Sequence, residues 1–213
     1  MYDKILFLDF DGTITSEETL VGSMRLTIDE DLYEEKLREM MEGKLTLSQA
    51  LHMAFGTVPS ERLPDIIEYV KSVPIRPGFE ELLLAMADKN IPVVVISGGL
   101  RPCIEAKLEP FRERLLDVHS VDVDSGGPHL KLISAYEEKG DLLQKTRVME
   151  QYEYKTAICA GDGHTDMRMA KTSQLVFARD QLADALKKQG VPYEPWQDFF
   201  DIRDFILKIP GGR

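Results

Sequence analysis

Short apolar runs recur along the chain at Lys4 to Phe10, Ile91 to Ser97, Thr156 to Ala160 and Leu175 to Ala178. Each is continuous rather than alternating, and the first is stopped by Asp11-Gly12, as in parallel strands buried on both faces. Between them the period changes. Gly78 to Lys89 places Phe79, Leu82, Leu83 and Met86 on one side of a helix, and Leu182 to Gln189 is a shorter amphipathic stretch. Strand, helix, strand repeated in this way predicts an α/β fold built on a Rossmann-like, doubly wound parallel sheet.

Two segments break the alternation. From Ser16 to Pro74 no strand-like run occurs, and helical stretches follow one another, interrupted near Gly43-Lys44, Gly56-Thr57 and Val58-Pro59. This predicts an α-helical insertion over 16–74 in a core formed by 1–15 and 75–213. Within it, Asp29 to Glu42 carries seven acids against Lys36 and Arg38, the pattern of a solvated helix face. From Leu115 to Ser134 the residues alternate loosely around Gly126-Gly127, which predicts a hairpin or an edge strand pair.

Composition narrows the classes of function. The 213 residues, 43% of them hydrophobic and 30% charged, suit a globular core plus an insertion at roughly 150 residues per domain. With 26 Lys+Arg against 37 Asp+Glu, the net charge of −11 argues against nucleic acid and anionic membranes as partners. A small phosphorylated substrate stays compatible, because a bound divalent cation inverts the local field. No apolar run approaches the roughly 18 residues that span a bilayer, and Met1 to Lys4 leads into the first strand without a signal-peptide pattern. Cys103 and Cys159 form no C-x-x-C pair. A cytoplasmic protein, monomer or homodimer, is expected. Trp196, Phe199 and Phe200 read as core anchors.

Four constellations carry candidate chemistry. Asp9-Phe10-Asp11-Gly12-Thr13 ends the first strand, where ligands bind in open α/β sheets, and its two carboxylates suit Mg²⁺. Ser97-Gly98-Gly99 offers a hydroxyl and unobstructed N–H groups to a phosphate. Gly161-Asp162-Gly163-His164-Thr165-Asp166 starts like a dinucleotide fingerprint but places acids where a pyrophosphate would be repelled. A lysine between the second and third sites, Lys145 or Lys139, supplies a fixed cation for a phosphoryl group. His164 reads as a solvent-facing loop residue.

In that order along an α/β chain, these motifs resemble the haloacid dehalogenase superfamily of phosphotransferases. The resemblance implies a Mg²⁺-dependent phosphoric monoester hydrolase working through an aspartyl phosphate. Asp9 is then the nucleophile and Asp11 the general acid and base. Asp9, the backbone carbonyl of Asp11, Asp162 and Asp166 are the expected metal set, and Ser97, Gly98 and Lys145 the phosphoryl contacts. The inserted helices match the cap of the phosphoserine-phosphatase-like branch. Glu18 and Arg101 are expected to touch the substrate. That branch's substrate-binding arginine has no counterpart in Gly43 to Phe55.

Four stretches bring the chain nearer to the methionine-salvage phosphatases of the same superfamily. They are Asp9 to Thr15, Phe55 to Ser60, Ile91-Pro92 leading into Ile96 to Gly99, and Phe177 to Asp180 with Gln197 to Phe199. The cysteine-rich segment those enzymes carry before the motif lysine is absent, and Tyr136 to Asp141 stands in its place. Counting back from Asp162, that pattern selects Lys145 and the phosphoserine pattern selects Lys139. A phosphoserine-phosphatase-like enzyme, a phosphosugar mutase and a non-catalytic phosphoacceptor or binding module remain as alternatives.

Overall fold

The computed structural model describes residues 1–209. Strands β1 (Tyr2–Leu8), β2 (Val93–Leu100), β3 (Asp117–Asp124), β4 (Lys131–Ile133), β5 (Tyr154–Gly161), β6 (Leu175–Ala178) and β7 (Glu194–Pro195) form one sheet. Their spatial order is β4-β3-β2-β1-β5-β6-β7, and every neighbouring pair is parallel except β3 with β4. Ile5, Leu6, Phe7 and Leu8 of the central strand are 0% exposed, which is why the inner half of β1 is apolar at every position rather than at alternate ones. The order reverses at β1, with β2 on one side and β5 on the other. The crevice beyond the carboxyl ends of these strands is the switch point where open α/β sheets bind ligands.

Helices flank the sheet. Phe79 at the start of α5 (Phe79–Asp88) stacks edge-on against Phe111 and packs on Phe199 of the last helix, α8 (Phe199–Lys208), with ring centroids 5.1 and 5.2 Å apart. Residues 16–74 hold α1 (Thr19–Thr27), α2 (Glu30–Met41), α3 (Leu47–Phe55) and α4 (Leu63–Ser72). No residue of α2 is buried, as its acid-rich sequence predicts. α3 begins on a reciprocal cap in which Thr46 Oγ1 accepts from Gln49 N–H at 3.2 Å and Gln49 Oε1 from Thr46 N–H at 2.9 Å.

The chain enters and leaves this helical segment side by side. Ser16 N–H donates to the Pro74 carbonyl at 2.9 Å and Arg76 N–H to the Ile14 carbonyl at 2.8 Å. A second attachment lies farther out, where Ser60 N–H donates to Pro128 O at 3.0 Å and Leu130 N–H to Val58 O at 2.9 Å.

The second strand extends past the apolar run that ends at Ser97: β2 continues through Gly98-Gly99 to Leu100, with a register shift between Ile96 and Leu100. Glycine pairs that read as loop punctuation also mark strand bulges. The segment after β2 forms both predicted alternatives at once, since β3 pairs parallel with β2 and antiparallel with the short edge strand β4. Cys103, on α6 (Arg101–Leu108), and Cys159, on β5, are buried and free. Burial pushes both thiols up to about 12, so they are inert packing residues. Among the described residues no helix is long and apolar enough to cross a membrane.

Candidate active site

β1 delivers Asp9 to the switch point, and Asp9 N–H donates to the Ala160 carbonyl of β5 at 3.1 Å. The chain then curls around the Phe10 carbonyl, which accepts from Ile14 N–H at 2.8 Å and Thr15 N–H at 3.0 Å. Phe10 itself is buried in the core, so Asp9 and Asp11 both open to the same side. Gly12 makes the turn possible with φ +69°. A Cβ there would lie 2.9 Å from Asp162 Cγ and 3.0 Å from Glu18 Oε1. Gly12→Ala therefore combines left-handed strain with a collision, and a loss of about 1–3 kcal/mol in urea unfolding is expected. An unchanged midpoint would show that the turn relaxes freely.

Lys145, the first residue of α7 (Lys145–Met149), is 2% exposed. Its Nζ donates to Asp9 Oδ1, and to Asp166 Oδ1 at 2.6 Å. The other oxygen of Asp166 accepts the N–H groups of Asp162 at 3.1 Å and Gly163 at 3.0 Å. Asp162, just past β5, accepts the Thr13 hydroxyl at 2.7 Å. Oxygens of Asp9, Asp162 and Asp166 lie within 4.8 Å of one another, all buried.

The charge balance of this cluster is unfinished. Three buried carboxylates face one ammonium, a difference of the size that a divalent cation would close. The acids register the excess. Burial, and then Asp166, raise Asp9 well above the ordinary carboxylate range despite the opposing pull of Lys145. Burial also raises Asp162, against the Thr13 hydroxyl that favours its charged form. For Lys145, burial acts downward, but Asp166 and Asp9 outweigh it and hold the ammonium above its usual range. Three clustered carboxylate oxygens are the hard donors that Mg²⁺ takes.

Asp11 is held differently. Its Oδ1 accepts Thr19 N–H at 3.1 Å, Leu20 N–H at 3.2 Å and the Thr19 hydroxyl, all at the start of α1. Its Oδ2 lies 3.2 Å from Ser97 Oγ, which in turn accepts Gly99 N–H at 2.9 Å. Burial raises Asp11, with Thr19 and Ser97 opposing. A carboxyl shifted above its ordinary range is moved in the direction that general acid work requires.

Asp9, Asp11, Glu18, Gly98, Lys145 and Asp162 line one cavity of about 180 Å³, small enough for a metabolite and too small for a polymer. The rest of its wall is largely apolar: Leu20, Val21 and Met24 of α1, Leu47 and Leu51 of α3, and Leu142 with Leu143. Among the described residues lining it, Lys145 is the only cation.

The structure brings most of the expected residues together, with exceptions. Lys145, and not Lys139, meets the acids; Lys139 is exposed and pairs with Glu138 at 3.0 Å. Ser97 is fully buried against Asp11 rather than facing the cavity. Arg101 turns away, its guanidinium held by Asp122 and by Ser120 O at 3.2 Å, because β3 runs directly beside it. Glu18 is exposed as a side chain, yet its carboxyl end leans over Gly12. Burial of that end, with Asp11 and Asp162 nearby, pushes it up to about 8. His164 is exposed as expected, at the start of a 3₁₀ turn, His164–Asp166, rather than in an open loop.

Sequence reading missed Thr13, Thr19 and the leucine wall. Thr13 sits inside the first motif, and Leu142-Leu143 directly precedes Gln144-Lys145, so proximity to a motif was the available signal. Nothing local marks Thr19.

Comparison with known proteins agrees with this geometry. The family model described as haloacid dehalogenase-like hydrolase matches residues 6–171. A 2-hydroxy-3-keto-5-methylthiopentenyl-1-phosphate phosphatase from Microcystis aeruginosa is 38% identical over 208 residues, covering 96% of this chain and 98% of that protein. One of the same name from Brevibacillus brevis is 29% identical, covering 96% of each. Among solved structures, a phosphoserine phosphatase from T. onnurineus superposes with a TM-score of 0.70 at 21% identity, over 98% of this chain and 96% of that one. The family match over most of the chain and the full-length relative at 38% identity lead to one conclusion: this chain belongs to the haloacid dehalogenase-like hydrolase family.

Proposed function

We propose that this chain is a Mg²⁺-dependent phosphomonoesterase that hydrolyses a small phosphorylated metabolite with an uncharged, apolar tail. One observation carries the reading: a buried carboxylate, Asp9, bonded to Lys145 on the floor of a cavity whose upper wall is apolar.

Asp9, Asp162, Asp166 and the backbone carbonyl of Asp11 would hold the cation. The donor chemistry fits, because three clustered carboxylates against one lysine leave a charge that Mg²⁺ neutralises. When bound, the ion supplies positive charge against the phosphoryl oxygens. Lys145 supplies the remaining fixed charge and holds Asp9 in place. Asp9 attacks phosphorus as Asp11 gives its proton to the departing alkoxide, so the ester P–O bond breaks while an acyl phosphate forms on Asp9. Asp11, now ionised, takes a proton from water as that water attacks the acyl phosphate. Inorganic phosphate leaves and both aspartates are restored. Ser97 keeps Asp11 aimed through this exchange.

Residues 16–74 act as the cap that excludes water and chooses the substrate. Its α3 meets the loop before α7 where the Ser48 hydroxyl donates to Glu137 and His52 Nε2 lies 3.0 Å from the same carboxylate. The apolar wall favours the substrate in the relatives' name, 2-hydroxy-3-keto-5-methylthiopentenyl-1-phosphate, over phosphoserine, whose carboxylate would find no free cation among the described residues of the cavity wall. Leaving a carboxylate unpaired costs several kcal/mol, so a preference in kcat/KM of at least about 100-fold over phosphoserine is expected. Both substrates assayed with Mg²⁺ in ¹⁸O-labelled water test this. Label in the released phosphate establishes hydrolysis; a preference for phosphoserine would overturn the assignment of the tail.

A further inference from the structure

We propose that Arg76 is a positioning residue of the active site, setting the Gly12 to Thr15 turn and, through it, Asp11 and Asp162. The observation is a guanidinium fork spread over main-chain carbonyls. Arg76 Nη2 donates to Gly12 O at 2.7 Å and Thr15 O at 3.4 Å, and Nε donates to Thr13 O at 3.0 Å. Residues 12–15 are buried, so these carbonyls need a donor inside the protein. A planar fork reaches three of them together, which an ammonium on a flexible stem does not.

Each clamped residue leads to the chemistry. Gly12 follows Asp11 directly, and its φ of +69° is the conformation that the fork holds. Thr13 carries the hydroxyl that donates to Asp162 at 2.7 Å. The Thr15 hydroxyl lies 3.2 Å from Gly12 N–H and closes the turn on itself.

The fork is itself fixed from behind. Arg76 and Arg179 flank the buried Trp196 ring, at 5.5 and 5.3 Å from its centroid. Arg179 Nη1 donates to Gln197 O at 2.9 Å. The C-terminal segment thus backs the first motif through one side chain. Arg179 shares the tryptophan but touches no carbonyl of the turn, which makes it the control.

The kinetic arm of the test rests on the phosphatase reading; a second arm does not. With an aryl phosphate and Mg²⁺, Arg76→Ala is expected to lower kcat about 100-fold, as displacement of catalytic groups by around an ångström does, with KM changed less than about threefold. Added guanidinium restores at least about tenfold of it, and Arg76→Lys falls between. Arg179→Ala shifts the melting temperature and leaves kcat alone. In hydrogen exchange, the peptide spanning Asp9 to Ser16 in Arg76→Lys exchanges at least about tenfold faster than in the wild type. If Arg76→Ala does not fold, Arg76→Lys decides. Wild-type kcat and exchange in Arg76→Lys, or equal losses in the Arg76→Ala and Arg179→Ala variants, overturn the proposal. A wild type inert towards every phosphomonoester overturns the phosphatase reading alone, because the exchange arm still decides the clamp.

Discussion

Asp9→Asn is expected to lower kcat by at least about 10⁴-fold while the protein stays folded. Removing a nucleophile eliminates the covalent route altogether rather than weakening one contact, so losses far exceed those of an orienting residue. The variant should survive because Lys145 keeps Asp166 as its counter-ion at 2.6 Å, and no buried ammonium is left alone. The neutral amide also removes one of three carboxylates from a cluster already short of positive charge. Two readouts separate the role from the fold. Wild type quenched in acid after mixing with ³²P-labelled substrate carries label that hydroxylamine releases, as an acyl phosphate does; Asp9→Asn carries none. Labelled phosphoenzyme in the variant, or activity within about tenfold of wild type, would remove Asp9 from the nucleophile's role.

The legibility of Asp9 in the sequence has a physical source. A central parallel strand is buried on both faces, so Ile5 to Leu8 announce it without ambiguity, and the first acids after it must lie at the carboxyl edge of the sheet. The same logic reached Asp162 after β5. What remained hidden depends on contacts across the chain. Spacing alone could not separate Lys145 from Lys139; the pairing of Lys145 with Asp9 spans 136 positions. Arg101 looked like a substrate contact because it follows Ser97-Gly98-Gly99, yet the strand that claims it is β3, through Asp122. Ser97 was expected to face a phosphate, but the bulge in β2 turns its hydroxyl to Asp11. Arg76 has no local signature at all, since its partners are carbonyls more than 60 positions away. A two-residue strand such as β7 is likewise too short to leave a period.

Lys145→Met is expected to destabilise the metal-free protein by about 3–5 kcal/mol, the usual cost of leaving buried charges without their partner. Methionine fills much the same volume, so the loss is electrostatic rather than a cavity. Its pH dependence follows from the direction of the shifts. Asp9 and Asp162 already hold their protons more tightly when folded than when unfolded. For such groups the unfolded chain releases protons first, and stability falls as pH rises from the ordinary carboxylate range through the raised folded values. Losing the ammonium raises them further, so the deficit should be smaller at pH 5 than at pH 8. Mg²⁺ should restore part of it, adding about 2.7 kcal/mol at 100 times its Kd, because the cation binds the folded cluster and not the dispersed carboxylates. Urea unfolding at both pH values, with Mg²⁺ and with chelator, measures all three effects. A variant as stable as wild type at pH 8 in chelator would show that Lys145 balances no charge there, and the cluster would need another account of how its acids coexist.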